Sequence, residues 1–116
     1  MSRSPHAASR HWRNQRLTSV ALVPLGLWFV LSLLRQPALD FAVVTGWFAK
    51  PLQAFLAALF GAALLWHSLQ GWQVVLEDYV GGTLRGLSIG LARIAHAAAA
   101  VALAVALFRL VAGGGA

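Results

Sequence analysis

The chain has 116 residues, the size of one domain, and 59% of them are hydrophobic while only 10% are charged. A soluble domain carries about 25% charged residues, so this composition excludes an ordinary water-facing globule and points to the lipid bilayer as solvent. The net charge is +6, and the lack of cysteine excludes disulfides, thiolate zinc sites, thiolate-held iron–sulfur clusters and cysteine nucleophiles.

Residues 1–16 form a basic segment holding Arg3, Arg10, Arg13 and Arg16, four of the nine basic residues. A basic arm can grip nucleic-acid phosphates. Directly before a spanning segment, clustered arginines are instead what the positive-inside rule places on the cytoplasmic flank, so no nucleic-acid partner is expected. The segment is Arg-rich and acid-free, as a mitochondrial transit segment can be, but it leads into the first span with little spare length. The expectation is therefore a bacterial inner membrane with the N-terminus cytoplasmic, and the mitochondrial inner membrane comes second.

Residues 17–34 are apolar apart from Thr18, Ser19 and Ser32. They match the roughly 20 residues that cross a hydrocarbon layer of about 30 Å. The run exceeds the hydrophobic core of a signal peptide and no A-x-A-like site follows it, so an uncleaved span is expected. Pro24 sits inside this span and is expected to kink it.

Residues 35–50 read as a connector, with RQPALD as a turn signal and Trp47 and Lys50 suited to a membrane–water interface. Pro51 fits the first turn of a second span over about 51–76. The short loop EDYVGGTLR follows, then a third span over about 86–112, and a short tail at 113–116. The fold class is all-α, a membrane domain of three transmembrane helices over 17–112. Gly82, Gly86 and Gly90 recur every fourth residue, a small-residue stripe that permits close helix approach.

Ionisable residues inside a span are costly and are functional candidates by default. His67 lies in the second span, about ten residues before its cytoplasmic end. A neutral imidazole offers a lone pair to haem iron without burying a net charge; it serves equally as a hydrogen-bond partner for a neighbouring helix. Both readings stay open on the residues alone. His67 and Asp78 are eleven residues apart, nearly three full turns, so both share one face about 16 Å apart if the helix continues that far. Gly71 lies one turn after His67 on that face, where a missing side chain leaves room for a flat ring. Asp78 and Tyr79 close the stretch with an acid and a phenol that can bond or protonate a reducible headgroup, or serve as a polar loop with an interfacial anchor. Arg93 and His96 lie at depth in the third span, His96 at a depth similar to His67, so an intrachain bis-histidine haem is geometrically conceivable.

His67, Gly71, Asp78, Tyr79 and Val80 form H-x3-G-x6-D-Y-V, which closely resembles the small hydrophobic membrane anchor subunit of succinate dehydrogenase, respiratory complex II. The basic N-terminal segment, the three spans, and R-L-T-S from Arg16 to Ser19 extend the resemblance over most of the chain. It implies a three-helix part of a multi-subunit bundle, with His67 as axial ligand of a b-type haem shared with a larger cytochrome b anchor subunit. It further implies Arg16 beside a haem propionate, with His11 loosely placed to join it, and Gly71 as clearance for the ring. Tyr79 would donate to a ubiquinone carbonyl and Asp78 would shape that site. Arg93 and His96 depart from the family pattern.

The function so implied is to anchor a succinate:ubiquinone oxidoreductase, with flavoprotein and iron–sulfur subunits as partners. No G-x-G-x-x-G fingerprint or cysteine cluster is present to hold those centres on this chain. A fumarate reductase anchor is the alternative within the superfamily, and a cofactor-free structural or assembly membrane protein the alternative outside it. A transporter half is disfavoured because the spans show no broken-helix pair. The sequence leaves open whether such complexes form trimers.

Overall fold

The computed structural model describes residues 5–114, so Arg3 lies outside the described residues. Four helices follow in order: α1 (Pro5–Leu34), α2 (Phe41–Phe48), α3 (Pro51–Tyr79) and α4 (Gly82–Ala112). Hydrocarbon offers no partner to a backbone N–H or C=O, so an apolar chain in a bilayer satisfies these groups within its own helix. α1, α3 and α4 are each long and apolar enough to cross a membrane. The protein is thus an all-α, multi-pass membrane protein, as its composition implies.

The basic N-terminal segment is not separate from the first span. α1 begins at Pro5, a residue suited to a first turn, and carries Arg10, Arg13 and Arg16 on the same continuous helix. Thirty residues at 1.5 Å each run about 45 Å, more than the ~30 Å hydrocarbon thickness, so there is length for the arginine-bearing turns to project beyond it. The helix continues through Pro24 to Leu34.

The connector holds an element that the turn signals concealed. Asp40 accepts a 2.9 Å hydrogen bond from the Val43 N–H at Oδ1 and so caps the short helix α2, about two turns long. Trp47, read as suited to a membrane–water interface, is packed inside the protein, at 6% exposure. Its indole lies 5.5 Å from Trp28, 6.3 Å from Phe29 and 4.8 Å from Phe48 between ring centroids. Phe29 extends the cluster to Phe60 of α3 at 5.2 Å. The aromatic group fastens α1, α2 and α3 at one end of the molecule.

α3 also runs further than its apolar span. Glu77, Asp78 and Tyr79, expected in a loop, complete its last turn, and only Val80 and Gly81 separate it from α4. The reversal is tight because Gly82 takes φ +62°, a left-handed conformation natural to glycine. The Arg85 Nε–H closes it with a 2.8 Å bond to the Val80 carbonyl.

α3 is the central helix, packing against α1 and α4, which do not pack substantially on each other. Both pairs are antiparallel. Gly26 of α1 lies against Phe60, whose Cε2 would be 3.7 Å from an added Cβ, and Thr18 lies against His67. On the other side, Gly61 meets Leu103, Ser68 meets His96, and Ala54 and Ala57 pack with Leu107. Small residues on α3 therefore set the approach of α4. A Cβ at Gly61 would collide with the Leu103 side chain. Gly61→Val is expected to lower stability by about 1–3 kcal/mol, by overpacking that forces Leu103 off its rotamer. Thermal unfolding in detergent measures this, and Leu103→Ala in the same chain should restore part of the loss.

The Gly82/Gly86/Gly90 stripe plays no such part within the chain, since a Cβ at any of the three would meet nothing within 4 Å. Most large apolar side chains are likewise exposed, Val20 at 70%, Val23 at 71% and Phe108 at 73% among them. These helices thus bury little against each other; their apolar faces belong to lipid or to other subunits.

Candidate functional site

His67 is half-buried on the face of α3 that meets α1. Its Nδ1 lies 3.2 Å from the Thr18 hydroxyl oxygen. Thr18 has one hydroxyl proton, and its own helix offers acceptors at 2.9 Å (Gln15 carbonyl) and 3.2 Å (Asn14 carbonyl). A helical threonine bonds this way readily, because its rotamers direct Oγ1 to the i−3 and i−4 carbonyls. With the proton directed there, Oγ1 is open to accept from a protonated Nδ1; directed at the ring, it donates to Nδ1 instead. In the first arrangement Nε2 keeps its lone pair, and in either one Nδ1 is the nitrogen turned to Thr18.

His96, conceived as a rival, is differently engaged. Its Nδ1 lies 2.7 Å from the Ala92 carbonyl, which can only accept, so Nδ1 donates. Its Nε2 lies 3.1 Å from the Ser68 Oγ and must accept from that hydroxyl. Both ring nitrogens are used. Ser68 is also one residue past His67, about 100° round α3, so the two histidines occupy different sides of the central helix. Among the described residues no group of three or more His, Asp or Glu side chains converges as a metal cage.

The remaining sequence candidates are spread along this end of the molecule. Gly71 lies one turn beyond His67, and a Cβ there would meet nothing within 4 Å, so the space beside it is open. α3 stays helical to Tyr79, so the shared face of His67, Gly71 and Asp78 exists, with the acid about 16 Å along the axis. Asp78 is exposed, and Tyr79 is 85% exposed at the last turn. Arg16 is not brought against His67: it lies two residues before Thr18, about 200° away round α1, with its guanidinium 4.8 Å above the Trp12 ring. His11 is half-buried and lines a groove between α1 and α3 with Gln15, Gln73 and Glu77. Arg93 is exposed beside His96 in a shallow groove between α3 and α4.

Sequence reading missed three residues here. Thr18 and Ser68, the partners of the two histidines, are small hydroxyl residues in apolar runs, and only helix register reveals them. Gln70, one turn past His67, is 6% exposed, and its Oε1 finds no hydrogen-bond partner among the described residues.

The fold and this site define a class: an all-helical, multi-pass membrane protein with a half-buried histidine at a helix–helix contact, an open glycine face and an exposed acid–phenol pair at a helix end. Comparison with known proteins narrows it. A family model described as succinate dehydrogenase/fumarate reductase transmembrane subunit matches residues 2–111, and the chain belongs to that family. Its relatives include the succinate dehydrogenase hydrophobic membrane anchor subunits of Rickettsia typhi, 29% identical over 92% of this chain and 86% of that protein, and of Rickettsia bellii, 29% identical over 90% and 85%. The Paracoccus denitrificans subunit of the same name is 27% identical over 74% of this chain and 67% of its own length. No solved structure matches. The chain is a succinate dehydrogenase-type membrane anchor.

Proposed function

We propose that this chain anchors a succinate:ubiquinone oxidoreductase in a bacterial inner membrane, with its N-terminus cytoplasmic, providing one side of a b-type haem site and one wall of the quinone site. The observation that carries this is the Thr18–His67 contact, which engages Nδ1 and leaves Nε2 as the ring nitrogen open to a ligand role. The donor chemistry fits a haem: one neutral imidazole, a glycine one turn on with open space beside it, and no competing cage among the described residues. When bound, the haem supplies one-electron transfer.

His67 would hold the iron, with Gly71 leaving room for the ring. The second ligand would come from a larger cytochrome b anchor, because His96 has both nitrogens engaged. Arg16, exposed on the outer side of α1, is free of any acid of its own helix and suits a propionate through two charge-assisted bonds. Tyr79 would donate its phenol proton to a ubiquinone carbonyl, and Asp78 beside it would accept and return protons at the aqueous edge. Their exposure is that of one wall, which the larger anchor and the iron–sulfur subunit would complete, with the flavoprotein beyond.

The test is purification from native membranes through a tag on this chain. A flavoprotein, an iron–sulfur protein and a second anchor should co-purify, with a b-type band in the reduced-minus-oxidised spectrum. A preparation containing the partners and lacking the band would remove the haem from this reading.

A further inference from the structure

We propose that Thr18 is a positioning residue for His67, fixing the ring tautomer so that Nδ1 stays protonated and Nε2 stays a ligand. This rests on the reading of His67 as a haem ligand. In a helix three and four residues downstream of two carbonyls, the Thr18 hydroxyl has a nearby acceptor for its one proton whatever its neighbour does, at 2.9 Å (Gln15) or 3.2 Å (Asn14). The Gln15 carbonyl also receives the Ser19 hydroxyl at 2.9 Å, and the Asn14 carbonyl then remains for Thr18. With the proton on either carbonyl, the oxygen facing His67 at 3.2 Å is open to accept from Nδ1–H.

The Thr18 oxygen is the protein group placed against Nδ1, so of the two tautomers it favours the one protonated there. Only one of them leaves Nε2 unprotonated. The same bond restrains ring rotation and raises the basicity of the imidazole, as the outer partner of a metal-bound histidine does. The antiparallel register of α1 and α3 makes the contact reproducible, since Gly26 packs against Phe60 about two turns further along. Ser19 does not substitute, because it lies about 100° further round α1 and is exposed.

The experiment uses the whole complex purified through a tag on this chain and compares Thr18→Val, which keeps the β-branched shape without the oxygen, with Thr18→Ser, which keeps the oxygen. Haem retention is read as the rate of haem transfer to apomyoglobin, and the haem midpoint potential by redox titration. Thr18→Val should weaken retention by roughly 10–100-fold. It should also raise the potential, because an imidazole without its outer acceptor donates less to ferric iron. Thr18→Ser should restore both, and Thr18→Ala should repeat the valine result if valine weakens assembly. Wild-type retention and potential in Thr18→Val, in a complex whose haem is lost on His67→Ala, would overturn the role of Thr18 and leave the ligand reading standing. Haem retained in His67→Ala would overturn both.

Discussion

If His67 holds a haem as proposed, replacing it with alanine is expected to abolish the b-type absorbance of the purified complex while leaving its subunits assembled. The side chain is half-buried on α3, and its loss leaves Thr18 with its carbonyl acceptors still in reach, so the helix contact suffers little. A haem held by His67, as proposed, would by contrast lose its ligand from this chain. Removal of an outer partner of a metal-bound histidine already costs 10–100-fold in affinity, so loss of the ligand itself should exceed about 100-fold. His96→Ala supplies the control. That ring bonds Ala92 and Ser68 and lies on another side of α3, so the haem band should persist at wild-type intensity. If His96→Ala erased the band and His67→Ala spared it, the ligand assignment would be reversed.

Tyr79→Phe should lower ubiquinone reduction by roughly 100-fold or more, the usual scale for loss of a positioned proton donor. The ring is retained and the side chain is 85% exposed at the end of α3, so neither fold nor haem band should change. Succinate oxidation measured with a water-soluble dye, which draws electrons before the membrane, should also be unchanged. The contrast between the two assays isolates the phenol. Full quinone reduction in the assembled variant would remove Tyr79 from the site.

The stretch from Trp66 to Val80 shows how much the sequence carries. Helical periodicity places His67, Gly71 and Asp78 on one face, and α3 does continue to Tyr79 so that this face exists. The loop expected from Glu77 onward shrinks to Val80 and Gly81, since Gly82 at φ +62° lets the chain reverse within those few residues. Trp47 gives the opposite case. An interfacial tryptophan and a core tryptophan have the same local sequence signals, and the aromatic partners Trp28 and Phe29 that bury it lie nearly twenty residues away.

The sequence by itself determined the solvent, the helical class, the three crossings and the angular position of each candidate on its own helix. Lipid leaves an apolar backbone no alternative to helix, and 3.6 residues per turn does the rest. Only the tertiary structure decided which residues meet between helices: Thr18 with His67, Ser68 with His96, Trp47 with the aromatic cluster. Those pairings depend on axial register, which is set by how Gly26 seats Phe60 and Gly61 seats Leu103, contacts between residues far apart in the chain that no periodicity encodes.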